Sequence, residues 1–152
     1  MKHFAPYALM LLFSLQAATG FSQNPNGNKP KQFSSYPDVI NCTEAELSRV
    51  FSGTAGQDIS LNFSNDFMFS GKITSNLVKY SNLQTAVIKS PVFNNSILNI
   101  SKRINQDNSI TYIGRIINVD YFDGYELKKN ITGNYQLIKI ETDKVIQPCF
   151  QN

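Results

Sequence analysis

The stretch VDYFDGYE carries the densest set of potential ligands in the chain, with carboxylates at Asp120, Asp123 and Glu126. Three carboxylates could serve a calcium ion, which prefers hard oxygen ligands. Their spacing departs from a standard calcium loop, however, and Asp123-Gly124 has the composition of a two-residue hairpin turn. The expectation is a turn with solvated acids at the strand ends, with calcium as the less favoured use. A carboxylate pair for sugar hydrolysis needs two acids facing each other across a cleft, and small meanders seldom provide one.

Other chemistries are excluded more firmly. The only histidine is His3, at the head of an apolar leader. The rest of the chain therefore lacks the base of a Ser-His-Asp or Cys-His site. Cys42 and Cys149 alone cannot close a tetrahedral zinc shell. SGTAG at Ser52 follows a helix pattern, the wrong order for a phosphate loop, and reads as a helix stop. No cofactor is expected, and the protein is expected not to be an enzyme.

Lys2 followed by the apolar run Phe4 to Leu15, then the small residues Ala17, Ala18, Gly20 and Ser22, has the form of a signal peptide. The run is too short for a membrane span, which needs about 20 apolar residues. The expected organisation is a signal peptide at 1–22, a flexible leader at 23–37 and a single domain at 38–152. The predicted location is the periplasm, the cell surface or the medium, with no membrane span in the mature protein. Fourteen Lys and Arg face 11 Asp and Glu; without Lys2 the balance is close to +2, with no basic stripe of the kind that binds nucleic acid. In an oxidising compartment Cys42 and Cys149 are expected to form a disulfide joining the two ends of the domain.

Tyr and Arg recur at interface hot spots. Tyr80, Arg103, Tyr112 and Arg115, in VKY, SKRI and YIGRI, are the candidate binding face. Asn-x-Ser/Thr triplets at Asn41, Asn62, Asn94, Asn99 and Asn130 suit glycan acceptors in a eukaryotic secretory chain, and in an Asn-rich bacterial chain reflect chance.

These residues need elements to hold them. QNPNGNKPKQFSSYP, residues 23–37, has no periodicity and too little apolar surface to order itself. Thr43 and Glu46 have capping-box spacing, Leu47, Val50 and Phe51 share a helical face, and Gly53 suits a left-handed helix stop. From Gln57 onward β-branched and aromatic residues alternate with short polar stretches at Asn65-Asp66, Ser81-Asn82, Asn94-Asn95, Gln106 to Asn108, Asp123-Gly124 and Gly133-Asn134. About seven strands follow, near 57–64, 67–80, 83–92, 96–105, 109–122, 125–132 and 135–146. Short connections make an antiparallel up-and-down meander. Gly71 and Gly114 inside long strands suggest bulges or bends. The fold class is α+β: a short N-terminal helix packed on a curled meander, or partial barrel.

The GFSQN ending of the leader resembles that of exported proteins of Bacteroidota, and the body is similar to small secreted proteins of that phylum. That resemblance implies export and supplies no activity or residue role. The function expected from these readings is a non-catalytic module that binds a protein partner, as an inhibitor or complex subunit. The alternatives are a small-ligand carrier with an apolar pocket between helix and sheet, and an enzyme using carboxylates alone.

Overall fold

The computed structural model describes residues 29–145. The segment expected to be a signal peptide, the first part of the expected leader and Cys149 lie outside the described residues. One antiparallel sheet dominates, with eight strands rather than seven. The strands are β1 (Val39–Cys42), β2 (Asp58–Ser64), β3 (Phe67–Tyr80), β4 (Leu83–Ser90), β5 (Ser96–Ile104), β6 (Ile110–Ile117), β7 (Asp123–Lys129) and β8 (Tyr135–Glu141). From β2 to β8 each strand pairs with the next, which is the expected meander. The additional strand, β1, pairs with β8 and returns alongside β2, so the sheet curls almost into a barrel.

The helix forms where its pattern placed it. Thr43 Oγ1 accepts the Glu46 N–H, and α1 (Glu44–Arg49) runs into a 3₁₀ turn, Val50–Ser52. The reciprocal half of the capping box gives way to an ion pair, because the Glu46 carboxylate turns to Arg49 at 2.8 Å. Gly53 is extended, at φ −83°, and not left-handed. Here glycine answers a packing demand, since a Cβ would collide with Ile73 Cδ1. Asn76 from β3 caps the end of the helical segment, its amide donating to the carbonyls of Gly53 at 2.7 Å and Phe51 at 3.2 Å.

Alternation along the strands sets the core. Phe67, Phe69 and Ile73 point inward with Ile88, Leu98, Ile100 and Ile116, all fully or almost fully buried. One end of the interior is filled by Leu47, Val50 and Phe51, with Phe51 against Tyr112 and Tyr112 against Tyr135. The other end holds an aromatic cluster of Phe67, Phe93, Tyr125, Tyr36 and Phe33.

Phe33 belongs to the segment expected to be a flexible leader. From Lys29 that segment instead straps across the barrel end. The Gln32 and Phe33 N–H groups donate to the two carboxylate oxygens of Asp123, at 2.6 and 2.9 Å. Tyr125 Oη donates to the Pro37 carbonyl at 2.6 Å, and Lys139 Nζ to that of Tyr36 at 2.7 Å. One fully buried ring and a set of backbone anchors order a stretch whose composition is almost wholly polar.

The Asp123-Gly124 pair corrects a second expectation. It is not a turn: both residues lie in β7, and the β6–β7 connection is residues 118–122. Glycine is required at 124 because a Cβ would strike the Ile116 carbonyl of β6. Gly71 and Gly114 likewise lie in unbroken register, and the bulges of β3 fall instead between Ile73 and Ser75 and between Val78 and Tyr80. The Asn pair does make its turn, with Asn94 and Asn95 at φ 48° and 67°.

Candidate protein-binding face

The register determines which residues share the outer surface. Tyr80, Leu83, Arg103 and Thr111 stand side by side across β3, β4, β5 and β6. The next row is Leu77, Thr85, Ser101 and Ile113, and the third is Ser75, Val87, Asn99 and Arg115. The two β3 bulges make this alignment possible. Each inserts one residue and switches the side-chain parity, so Leu77 and Tyr80 face outward on a strand whose Phe67, Phe69 and Ile73 face inward. Leu77, Tyr80 and Ile113 are 58%, 68% and 59% exposed.

Three of the four residues expected on the binding face therefore share it. Tyr80 and Arg103 line one hollow with Leu83 and Ile104. Arg115 sits farther along the same surface, opposite Asn99, four residues or about 13 Å down β5 from Arg103. Tyr112 is a correction. It is buried, faces inward, and packs between Phe51 and Tyr135. Burial raises its phenol pKa, with Glu44 and Tyr135 adding to the shift. A single apolar-versus-polar alternation separates it from Ile113, which stands outward in its place.

The acidic trio does not converge. Asp123 is buried with its oxygens taken by the strap, and Glu126 lies on the opposite face of β7. Asp120 is exposed in the preceding connection. Glu126 is held by Lys128 and by Arg115, each at 2.7 Å. Those two cations, Lys128 first, hold its carboxyl below the ordinary glutamate range. Among the described residues no group of three His, Cys, Asp or Glu is placed to hold a metal ion.

Cys42 ends β1 as a buried thiol, free among the described residues, with Sγ 3.6 Å from the Ile40 carbonyl oxygen. Burial pushes its pKa up to about 12. Cys42 lies beside Tyr135, the first residue of β8, and the staple expected with Cys149 involves a residue outside the described ones.

Sequence periodicity could not have revealed the bulges of β3, which depend on register between strands. No protein family, curated protein or solved structure matches the chain.

Proposed function

We propose that the protein is a non-catalytic binding module, exported by its leader, that recognises another protein through the outer face of β3 to β6. The observation that carries this reading is the set of large apolar side chains left exposed there, Leu77, Tyr80 and Ile113, beside Arg103. Exposed apolar groups clustered with Tyr and Arg are the composition of an interface core. The interior speaks against the carrier alternative, because Phe33, Phe51 and the aromatic cluster occupy the space a ligand would need. The separation of Asp120, Asp123 and Glu126 removes the best carboxylate constellation from the enzyme alternative.

The test is quantitative capture from an extract of the source cells. Wild-type protein is compared with a Tyr80→Ala/Arg103→Glu double variant and with Asp66→Ala, an exposed residue of the β2–β3 turn. A partner retained by wild type and Asp66→Ala and lost by the double variant supports the face. Identical capture by all three, or a stoichiometric small molecule copurifying with the protein, overturns it.

A further inference from the structure

The curled wall is split between β6 and β7. The β5–β6 ladder extends to Ile104 opposite Ile110, and the β7–β8 ladder to Lys129 opposite Tyr135. The β6–β7 ladder has only three pairs and stops at Gly114 opposite Leu127. Among the described residues, 110–113 thus have a strand on one side and none on the other. Backbone polar groups seldom go without partners, and here a side chain stands in for the missing strand: the Tyr112 N–H donates to Tyr135 Oη at 2.9 Å.

The split opens into a groove of about 700 Å³ on the outer surface. Its length along β6, four residues, is about 13 Å. Arg115, Lys128 and Lys129 line it, and among the described residues Glu126 is its one carboxylate. Glu126 is already shared by Arg115 and Lys128, while the carboxylate paired with Lys129, Glu44, is 3.9 Å away and well exposed. Among the described residues the groove therefore keeps a surplus of positive charge beside a length of β6 that no strand pairs on that side. Ile113 and Ile117 add apolar surface between the cations.

We propose that this split receives an extended acidic peptide segment of the partner, added as a strand alongside Ile110–Ile113, with its carboxylates meeting Lys128, Lys129 and Arg115. An added strand gains affinity from main-chain hydrogen bonds and selectivity from alternate side chains, and the cations select for acid at those positions. The inference rests on the reading of the protein as a protein-binding module and specifies the partner's chemistry.

The probes are end-blocked peptides of about eight residues, long enough to exceed the groove. One alternates valine and glutamate, a second alternates valine and lysine, and a third is the glutamate peptide N-methylated at every second peptide group. Each is titrated against the full chain by fluorescence anisotropy. The glutamate peptide should bind, more weakly as salt is raised. The lysine peptide should not bind, and the N-methylated one should lose about tenfold or more in affinity. Lys128→Glu/Lys129→Glu should lose a similar factor, with an unchanged thermal melt showing that it folds, and Asp66→Ala should bind as wild type.

Equal binding of the N-methylated and parent peptides overturns strand addition, and equal binding of the lysine peptide overturns the acidic partner. Absence of peptide binding, with capture still dependent on Tyr80 and Arg103, overturns this inference alone and leaves the binding-module reading standing. Peptide binding at the split, with capture indifferent to Tyr80 and Arg103, supports the inference and overturns that reading's choice of face.

Discussion

Phe33→Ala tests whether the strap is part of the fold. The ring is fully buried and lies 5.2 Å from the ring of Tyr125, 5.4 Å from Phe93, 6.1 Å from Phe67 and 6.2 Å from Tyr36. Removing a buried Phe side chain costs about 3–5 kcal/mol in transfer and cavity terms. Aromatic neighbours on several sides leave little room for collapse, so the upper half of that range is expected. Domains of this size have about 5–15 kcal/mol in total, so the variant should lose a large share of its stability. With a urea m-value of about 1.5 kcal/mol per molar, the midpoint should fall by about 3 M with the slope unchanged. Asp123→Ala should act on the same structure by another route, leaving two backbone N–H groups without their carboxylate acceptor, at about 1.5–3 kcal/mol for each charge-assisted bond. The two substitutions share one structure, so their costs should fall short of additive in the double variant. Urea unfolding followed by tyrosine fluorescence and circular dichroism supplies all three numbers. A Phe33→Ala unfolding free energy within about 0.5 kcal/mol of wild type, the range of ordinary surface substitutions, would falsify the packing described for residues 29–37.

Other perturbations have equally definite outcomes. A thiol whose pKa rises from 9.0 to about 12 loses nearly all of its thiolate at neutral pH. Native Cys42 should therefore alkylate about a thousandfold more slowly than an unperturbed cysteine and react freely in denaturant, as read by site-resolved mass spectrometry. If Cys42 instead stays blocked in denaturant until reductant is added, it is held in a disulfide, the pairing with Cys149 that the sequence leads one to expect. Glu126 has a depressed pKa in the folded state, so its contribution is complete above the unfolded value near 4.5 and is lost as pH falls through the lower folded value. Glu126→Gln should flatten the acid limb of a stability-against-pH curve and leave the curve above pH 6 parallel to wild type. Gly124→Ala should cost about 1–3 kcal/mol, because the added methyl meets the Ile116 carbonyl, and a neutral thermal melt would show that β6 and β7 can move apart there. Asn76→Ala, which strips the carbonyls ending the helical segment of their donor, should cost about 1–3 kcal/mol in the same assay.

Much of the scaffold was legible in sequence because it is made of local hairpins. The bounds of β3, Phe67–Tyr80, matched their expectation, and Asn94-Asn95 identified itself as a turn through the rarity of positive φ outside glycine and asparagine. Asp123-Gly124 misled because two physical demands select the same dipeptide. A tight turn wants it for its dihedrals, whereas here glycine admits a neighbouring carbonyl and aspartate binds two distant amides. The strap was invisible because composition averages over residues, and a single Phe among Lys, Gln, Ser and Pro carries its packing. β1 was missed for a related reason: VINC is too short to show a period. Of the residues chosen by type for the candidate face, Tyr80, Arg103 and Arg115 do share one outer surface. The error at Tyr112 arose because residue type does not reveal which way a strand faces without knowledge of its neighbours.

The pairing of β1 with β8 bears on the order in which the molecule assembles. Every other ladder joins strands adjacent in sequence, so the chain from β2 to β8 can zip up hairpin by hairpin with little loop to close. Cys42 meets Tyr135 across about ninety residues of chain, and the strap makes contacts of similar span. Synthesis runs in the opposite sense: the strap and β1 are made first, and their docking sites on β7 and β8 last. The earliest part of the domain must therefore wait as open chain while the meander forms beneath it, and its docking completes the fold as the slow, long-range step.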